Sequence, residues 1–243
     1  MNPTPTDRIV ILSGAGLSAA SGVPTFRGAG GLWRGYKATE LATPEAFARD
    51  PALVRAFYDM RRETLQGIEP NPGHDALVRL QAAWGPERVL LVTQNVDGLL
   101  QQAAARAGVD ATILEMHGSI RRLRCHRDPA HPQPPIEGAQ DPSVDCSVCG
   151  GPLRPAVVWF GEVPLFLDSI GAALSACTWF VSVGTSGVVY PAAGFVDLAR
   201  RSGARCLEVN PDPTQGVFDE QIPEGSETAL PRLVEEWLSS PRR

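Results

Sequence analysis

Apolar residues along the chain follow two different periods. Uninterrupted short runs occur at Ile9 to Leu12, Val89 to Val92, Phe180 to Val183 and Cys206 to Val209, with a weaker one at Ile113 to Leu114. Runs of that length predict strands buried on both faces, as in a parallel sheet. Between them, apolar positions recur every three or four residues over Pro44 to Leu65, Gly73 to Trp84, Gly98 to Ala107, Ala192 to Arg201 and Leu230 to Leu238. That spacing predicts helices, and Gly or Pro stands near several of their ends. Strands alternating with helices imply an α/β protein: an open, doubly wound parallel sheet with helices on both faces.

Each predicted strand is followed by small or polar residues. Ser13-Gly14-Ala15-Gly16 follows the first and Thr93-Gln94-Asn95-Val96-Asp97 the second, Met116-His117-Gly118 the weak one, then Gly184-Thr185-Ser186 and Asn210-Pro211-Asp212. Ligands of open α/β sheets sit outside the carboxyl ends of the strands, so these five clusters are expected to converge on one crevice.

From Arg121 to Pro155 the pattern changes, becoming rich in Pro, Cys, His and Asp without helical periodicity. This stretch reads as a small inserted module at about residues 121–155. Residues 1–120 and 156–243 then form the main domain, with a helical insertion over about residues 28–70. Cys125, Cys146 and Cys149 lie in the module, and Cys146-Ser147-Val148-Cys149-Gly150-Gly151 has the spacing of a zinc knuckle. The other two cysteines, Cys177 and Cys206, fall in apolar stretches. An odd count of five with this distribution suggests a metal or former metal site rather than a disulfide framework.

Composition narrows the function classes. With 43% apolar and 20% charged residues the chain is that of an ordinary globular protein, and a net charge of -5 offers no attraction to nucleic acid. The amino terminus lacks a secretory pattern and no apolar run is long enough to span a bilayer, so a cytoplasmic location and no membrane partner are expected. Oligomeric state is not legible.

Gly14-Ala15-Gly16-Leu17-Ser18-Ala19 fits G-x-G-x-x-G/A directly after a strand, where small residues allow backbone N–H groups to approach a pyrophosphate. Two departures argue against a hydride-transferring dehydrogenase: Pro24 ends the helix early, and no second strand supplies an acidic ribose ligand. The loop continues instead through Thr25-Phe26-Arg27-Gly28 to Gly30-Gly31-Leu32-Trp33. An aromatic and a guanidinium beside a phosphate cradle suggest a cover over the nicotinamide end of a dinucleotide.

The run from Gly14 to Arg27 resembles the amino-terminal signature of the sirtuin family, and Thr93-Gln94-Asn95-Val96-Asp97-Gly98-Leu99 resembles its second signature. His117-Gly118, Val158-Trp159-Phe160-Gly161-Glu162, Gly184-Thr185-Ser186 and Asn210 follow in the family's order. The resemblance implies a Rossmann-like sheet with a small zinc-ribbon-like module, and NAD as co-substrate. It also implies NAD-dependent protein-lysine deacylation. The acyl amide oxygen attacks the ribose carbon bearing nicotinamide, nicotinamide leaves, and the products are free lysine and O-acyl-ADP-ribose.

By the same resemblance His117 is the general base, a task suited to an imidazole titrating near neutrality. Gly14, Ala15, Gly16, Ser18, Phe26, Arg27, Trp33, Gln94, Asn95, Val96, Asp97, Gly184, Thr185, Ser186, Asn210 and Ala229 become cofactor contacts. Among these Asp97 would accept from the carboxamide, although an Asx-type helix cap is an equally simple use of Asn95 or its neighbours. Val158, Trp159, Phe160 and Gly161 become the loop that pairs with an acyl-lysine peptide. Tyr58 and Arg61, three apart on one predicted helix, share a face and make a receptor for a carboxylate. They look like the pair that marks the branch removing succinyl and malonyl as well as acetyl groups.

The family's first cysteine pair is also C-x-x-C, yet Asp128 stands at its second position here. A structural zinc held by Cys125, Cys146 and Cys149 would need a fourth ligand from Asp128, His126 or His131; a metal-free module held by packing is the alternative. A non-catalytic NAD or ADP-ribose sensor, or transfer of ADP-ribose to protein, are the competing functions.

Overall fold

The structure is a computed structural model describing residues 2–24, 32–33, 36–185 and 192–239. Its strands, in chain order, are β1 (Ile9–Ser13), β2 (Leu32–Trp33), β3 (Tyr36–Lys37), β4 (Val89–Thr93), β5 (Ile113–Glu115), β6 (Gly118–Cys125), β7 (Leu153–Val157), β8 (Trp179–Val183), β9 (Arg205–Val209) and β10 (Glu220–Ile222). The helices are α1 (Ala15–Ala19), α2 (Ala38–Leu41), α3 (Pro44–Arg49), α4 (Pro51–Thr64), α5 (Pro72–Trp84), α6 (Leu99–Ala107), α7 (Leu167–Ala176), α8 (Phe195–Arg201) and α9 (Ser226–Leu238).

Six strands pair in the order β10-β9-β8-β1-β4-β5, all parallel. This is the Rossmann-like arrangement, with the strand order reversing between β1 and β8. Side chains alternate across the sheet. Ile9, Ile11, Leu91, Val181 and Leu207 face a core built with α5, α6 and α9 through Leu77, Leu80, Leu100, Leu230 and Trp237. Val10, Leu12, Val92, Phe180 and Cys206 face the opposite core with Ile170, Leu174 and Val196. Burial on both faces is why these strands read as unbroken apolar runs.

The predicted helix from Pro44 to Leu65 is two helices. Asp50 precedes Pro51, whose ring disfavours helical geometry in the residue before it. Asp50 accordingly sits at φ -148, ψ 84, and its carboxylate accepts from the Leu53 N–H at 2.9 Å, capping α4. The predicted helix from Ala192 begins as a 3₁₀ turn over Ala192–Gly194, and the last helix starts earlier than expected, at Ser226. Helix α7 and edge strand β10 were not anticipated.

The cysteine-bearing stretch hangs from an antiparallel ribbon, β6 with β7, that pairs Gly118 with Val157 at one end and Cys125 with Leu153 at the other. The expected boundaries at Arg121 and Pro155 therefore fall inside these strands. Buried Arg62 of α4 ties the stretch down: its Nε donates to the Gly138 carbonyl at 2.7 Å and its Nη1 to that of Ile120 at 3.3 Å, while Asp59 pairs with it. A third apolar cluster, with Phe47, Phe57, Tyr58, Ile120, Val157 and Trp159, joins α3 and α4 to the ribbon. No described helix is long and apolar enough to cross a membrane.

Candidate functional site

The two glycines after β1 stand where the strand order reverses. The Gly14 N–H donates to the Val183 carbonyl and the Gly16 N–H to that of Gly184, both at 2.9 Å. These two donors are bonded to the end of the neighbouring strand and the loop that follows it. The smallness of the two glycines has a packing reason. A Cβ on Gly16 would lie 2.6 Å from the Gly184 Cα, and one on Gly14 would lie 2.9 Å from the Gly184 oxygen. Gly184 itself has φ +56, the left-handed region that favours glycine. Two loops from adjacent strands thus touch backbone to backbone.

The remaining loops close around them. The Gln94 N–H donates to the Ser13 carbonyl at 2.9 Å, and Asn95 Nδ2 donates to the Gly14 carbonyl at 3.0 Å and to Ser18 Oγ at 3.1 Å. Asn210 Nδ2 donates to the Thr185 carbonyl at 2.9 Å, and Ser182 shares a hydroxyl bond with Thr185. The described residues of these four clusters therefore meet at the carboxyl edge of the sheet. Val96 is half-buried against the α3–α4 cluster and gives its carbonyl to the Ile120 N–H. Phe26, Arg27 and Ser186 lie outside the described residues, and Trp33 is placed in β2 by its backbone. Ala229, on α9, has its side chain buried in the apolar core, and the start of that helix reaches the crevice floor through Ser226 Oγ, which donates to the Gly16 carbonyl at 3.2 Å.

His117 closes the site from the ribbon side. Its Nδ1 lies 3.1 Å from the Gln94 carbonyl oxygen, and its own carbonyl accepts from the Val158 N–H at 2.9 Å. A carbonyl only accepts, so Nδ1 carries the proton and Nε2 keeps its lone pair. Burial holds His117 below the usual histidine range, which keeps the imidazole neutral at pH 7. Gly118, at φ +76, follows because a Cβ there would lie 2.0 Å from the Ala156 oxygen.

Asp97 is engaged from two sides: Oδ1 accepts from the Leu99 N–H at 2.9 Å, an Asx cap on α6, and Oδ2 accepts from Ser18 Oγ at 2.8 Å. The cap expected near Asn95 thus belongs to Asp97. Sequence reasoning missed the next link, His74. Its Nδ1 accepts from the Asn71 N–H at 3.2 Å, which leaves Nε2–H to donate to Ser18 Oγ at 3.3 Å. The result is a directed chain, His74 to Ser18 to Asp97, beneath the crevice; only the capping pattern around Asn71 hinted at it.

Burial, the largest cause, pushes His74 down to about 4, although Asp97 pulls the other way. The unfolded chain therefore binds a proton below about pH 6.5 that the folded chain refuses. Stability from this group is complete above pH 6.5 and is expected to decline by about 3 kcal/mol as pH falls to about 4. Thermal unfolding of the wild type and of His74→Gln between pH 7 and 4.5 checks this: the variant should show the shallower pH dependence, and equal slopes would refute it.

On α4, Tyr58 is buried and its hydroxyl oxygen accepts from Trp159 Nε1 at 2.9 Å. Burial raises Tyr58 to about 12, so it remains a neutral phenol. Arg61 lies beside it; burial pushes this guanidinium down from its usual value, while Tyr58 and then Asp97 oppose that shift electrostatically. Trp159 is held in turn: the Arg154 guanidinium stacks 3.7 Å from its ring centre, and Glu162 accepts from its backbone N–H at 2.8 Å while pairing with Arg154. Phe160 donates its N–H to the Ala42 carbonyl at 2.9 Å yet is 45% exposed, and Gly161 sits at φ +90. Val158 to Gly161 thus form a pinned loop with an apolar outer edge, continued by exposed Val163 and Phe166.

At the far end of the ribbon the thiols of Cys125, Cys146 and Cys149 converge, unoxidised. Cys177 and Cys206 are buried packing residues, as expected, and burial pushes their thiols up to about 11 and about 12.

Known proteins share this arrangement over nearly the whole chain. The model of the Sir2 family matches residues 14–191. A relative from Caulobacter vibrioides named NAD-dependent protein deacylase is 45% identical over 238 residues, covering 96% of this chain and 97% of the relative. A solved Sir2 homolog–NAD complex has a TM-score of 0.85 at 35% identity, covering 97% of this chain and 92% of that one. A mutant Sir2 homologue in complex with 2′-O-acetyl ADP ribose has the same TM-score and identity, covering 97% and 95%.

Proposed function

The chain belongs to the Sir2 family and is an NAD-dependent protein deacylase, and we propose that the groups it removes from lysine include succinyl and malonyl as well as acetyl. The observation that carries the catalytic reading is the His117 tautomer. With Nδ1–H fixed on the Gln94 carbonyl, Nε2 is the only ring nitrogen able to take a proton. In this reading Nε2 draws a proton from a ribose hydroxyl held at the carboxyl edge of the sheet, activating that oxygen for attack on the acyl carbon. NAD, when bound, supplies the ribose and the departing nicotinamide. Acyl transfer to the sugar yields O-acyl-ADP-ribose.

The crevice suits a dinucleotide. Its floor at Gly14, Ala15 and Gly16 is small-residue backbone at the point where the strand order reverses, the usual place for a dinucleotide in an open parallel sheet. Ser18, Gln94, Asn95, Val96, Asp97, Gly184, Thr185 and Asn210 line the rest, and Asp97 keeps acceptor capacity for a carboxamide beyond its two bonds. Phe26, Arg27, Trp33 and Ser186 retain their proposed cofactor roles from the resemblance alone.

The acyl reading rests on Tyr58 and Arg61. Because the phenol oxygen already accepts from Trp159, its own proton is left to donate, and a carboxylate is the acceptor that a guanidinium beside it would bring. Val158 to Gly161, with exposed Phe160 at the rim, offers main-chain groups and apolar contact to an extended peptide. A cytoplasmic setting fits free thiols clustered for a metal.

The deciding experiment incubates the protein with NAD and matched acetyl-, succinyl- and malonyl-lysine peptides and identifies products by mass spectrometry. All three peptides are expected to be deacylated, each with one nicotinamide and one O-acyl-ADP-ribose released. Nicotinamide release indifferent to peptide would point to a different reaction, and turnover of the acetyl peptide alone would remove the acidic-acyl assignment.

A further inference from the structure

Four donor atoms at the end of the β6–β7 ribbon, Cys125 Sγ, Cys146 Sγ, Cys149 Sγ and one ring nitrogen of His131, lie within 4.8 Å of one another. We propose that they form a Cys3His zinc site in which His131 Nδ1 is the fourth ligand and Asp128, standing where a second thiolate would complete the first cysteine pair, orients that imidazole from outside. The inference is independent of which acyl group the enzyme removes.

Two turns build the thiolate side. Backbone N–H groups of Arg127 and Asp128 lie near Cys125 Sγ, and those of Val148 and Cys149 near Cys146 Sγ. Residues 125–128 and 146–149 are therefore the same turn made twice, each aiming amide donors at its leading sulfur. In the second turn the last position is Cys149, whose Sγ lies 3.5 Å from Cys125 Sγ. A tetrahedral zinc with Zn–S bonds near 2.3 Å sets sulfurs about 3.8 Å apart, whereas a disulfide would bring them to about 2.0 Å. The observed separation fits the metal.

In the first turn the last position is Asp128, and its carboxylate is committed elsewhere. Oδ1 accepts from the Ala130 N–H at 2.8 Å, and Oδ2 lies 3.5 Å from His131 Nε2. The chain turns back there, with the His131 N–H donating to the Asp128 carbonyl at 3.3 Å, and delivers the His131 ring to the thiols with Nδ1 3.3 Å from Cys146 Sγ. A ring nitrogen facing thiolates with its opposite nitrogen facing a carboxylate is the geometry of a metal-bound imidazole with its outer partner. His126 is excluded by its place, tilted against the Phe47 ring at 5.0 Å between centroids. Three thiolates and one imidazole select a thiophilic, tetrahedral ion, for which zinc is the standard choice.

X-ray absorption at the zinc edge, on protein purified without added chelator, tests the assignment directly. The expected result is one zinc per chain, with three sulfurs near 2.3 Å and one imidazole nitrogen near 2.0 Å, the latter identified by ring-carbon scattering. His131→Cys should keep the metal and convert the shell to four sulfurs. Asp128→Asn should keep three sulfurs and one nitrogen but bind zinc about 10- to 100-fold more weakly in competition with a chromophoric chelator. Zinc-free protein, a wild-type shell lacking imidazole scattering, or a His131→Cys shell still containing imidazole would each overturn the site. Unchanged affinity in Asp128→Asn would overturn the outer role of the aspartate. Because the wild-type spectrum stands alone, a variant that fails to fold does not shelter the proposal.

Discussion

Replacing His117 by Asn is expected to lower kcat for every acyl peptide by about 10²- to 10⁴-fold, the usual contribution of a positioned general base. Asparagine can still donate an N–H to the Gln94 carbonyl, and the Val158 bond to the His117 main chain does not depend on the side chain. The fold and its melting temperature should therefore survive while the proton acceptor disappears. The wild-type pH profile gives a second reading of the same group. Burial disfavours the imidazolium, so the neutral, active form persists to lower pH than for a free histidine. The acid limb of kcat/KM should have its midpoint below pH 6.5. A variant within threefold of wild type, or an acid limb centred above that value, would remove His117 from the chemistry.

Arg61→Met should separate the substrates. Hydrogen bonds to charged groups contribute about 1.5–3 kcal/mol, which corresponds to roughly a 10- to 150-fold loss of kcat/KM on succinyl and malonyl peptides. Acetyl peptides carry no carboxylate and should lose less than about threefold. Arg61 also lies within the field of Asp97, so the KM for NAD is measured alongside. A rise in that KM alone, shared equally by all three peptides, would assign Arg61 to the cofactor side and sink the acyl reading.

The sheet was legible in the chain because Val10, Leu91, Val181 and Leu207 are each covered from their own side, leaving no polar alternation to confuse the pattern. Convergence of the polar clusters was legible for the same reason: parallel strands send every carboxyl end to one edge. The break at Asp50-Pro51 was written in the sequence, but the three- and four-residue spacing continued across it and masked it. Helix α7, Leu167–Ala176, carries small Gly, Ala and Ser residues over most of its length, with only Ile170 and Leu174 buried, and so gave a faint apolar stripe. Strand β10 lies at the sheet edge, where Glu220 and Gln221 face solvent.

The site was less legible wherever partners are distant in the chain. Nothing local connects His74 with Ser18, 56 positions away, or Trp159 with Tyr58, 101 positions away. The sequence offered three candidates for a fourth metal ligand because Asp128, His126 and His131 are close neighbours. Only the turn at Asp128 separates the one that faces the thiols.

The contact of Gly16 on Gly184 has a practical corollary for anyone redesigning nucleotide preference. With main chain meeting main chain, that wall offers no rotamer to change and no volume to carve. If the proposed dinucleotide site holds, altered analogues would have to be accommodated through neighbouring positions such as Asn210 and Thr185, whose side chains a library can vary.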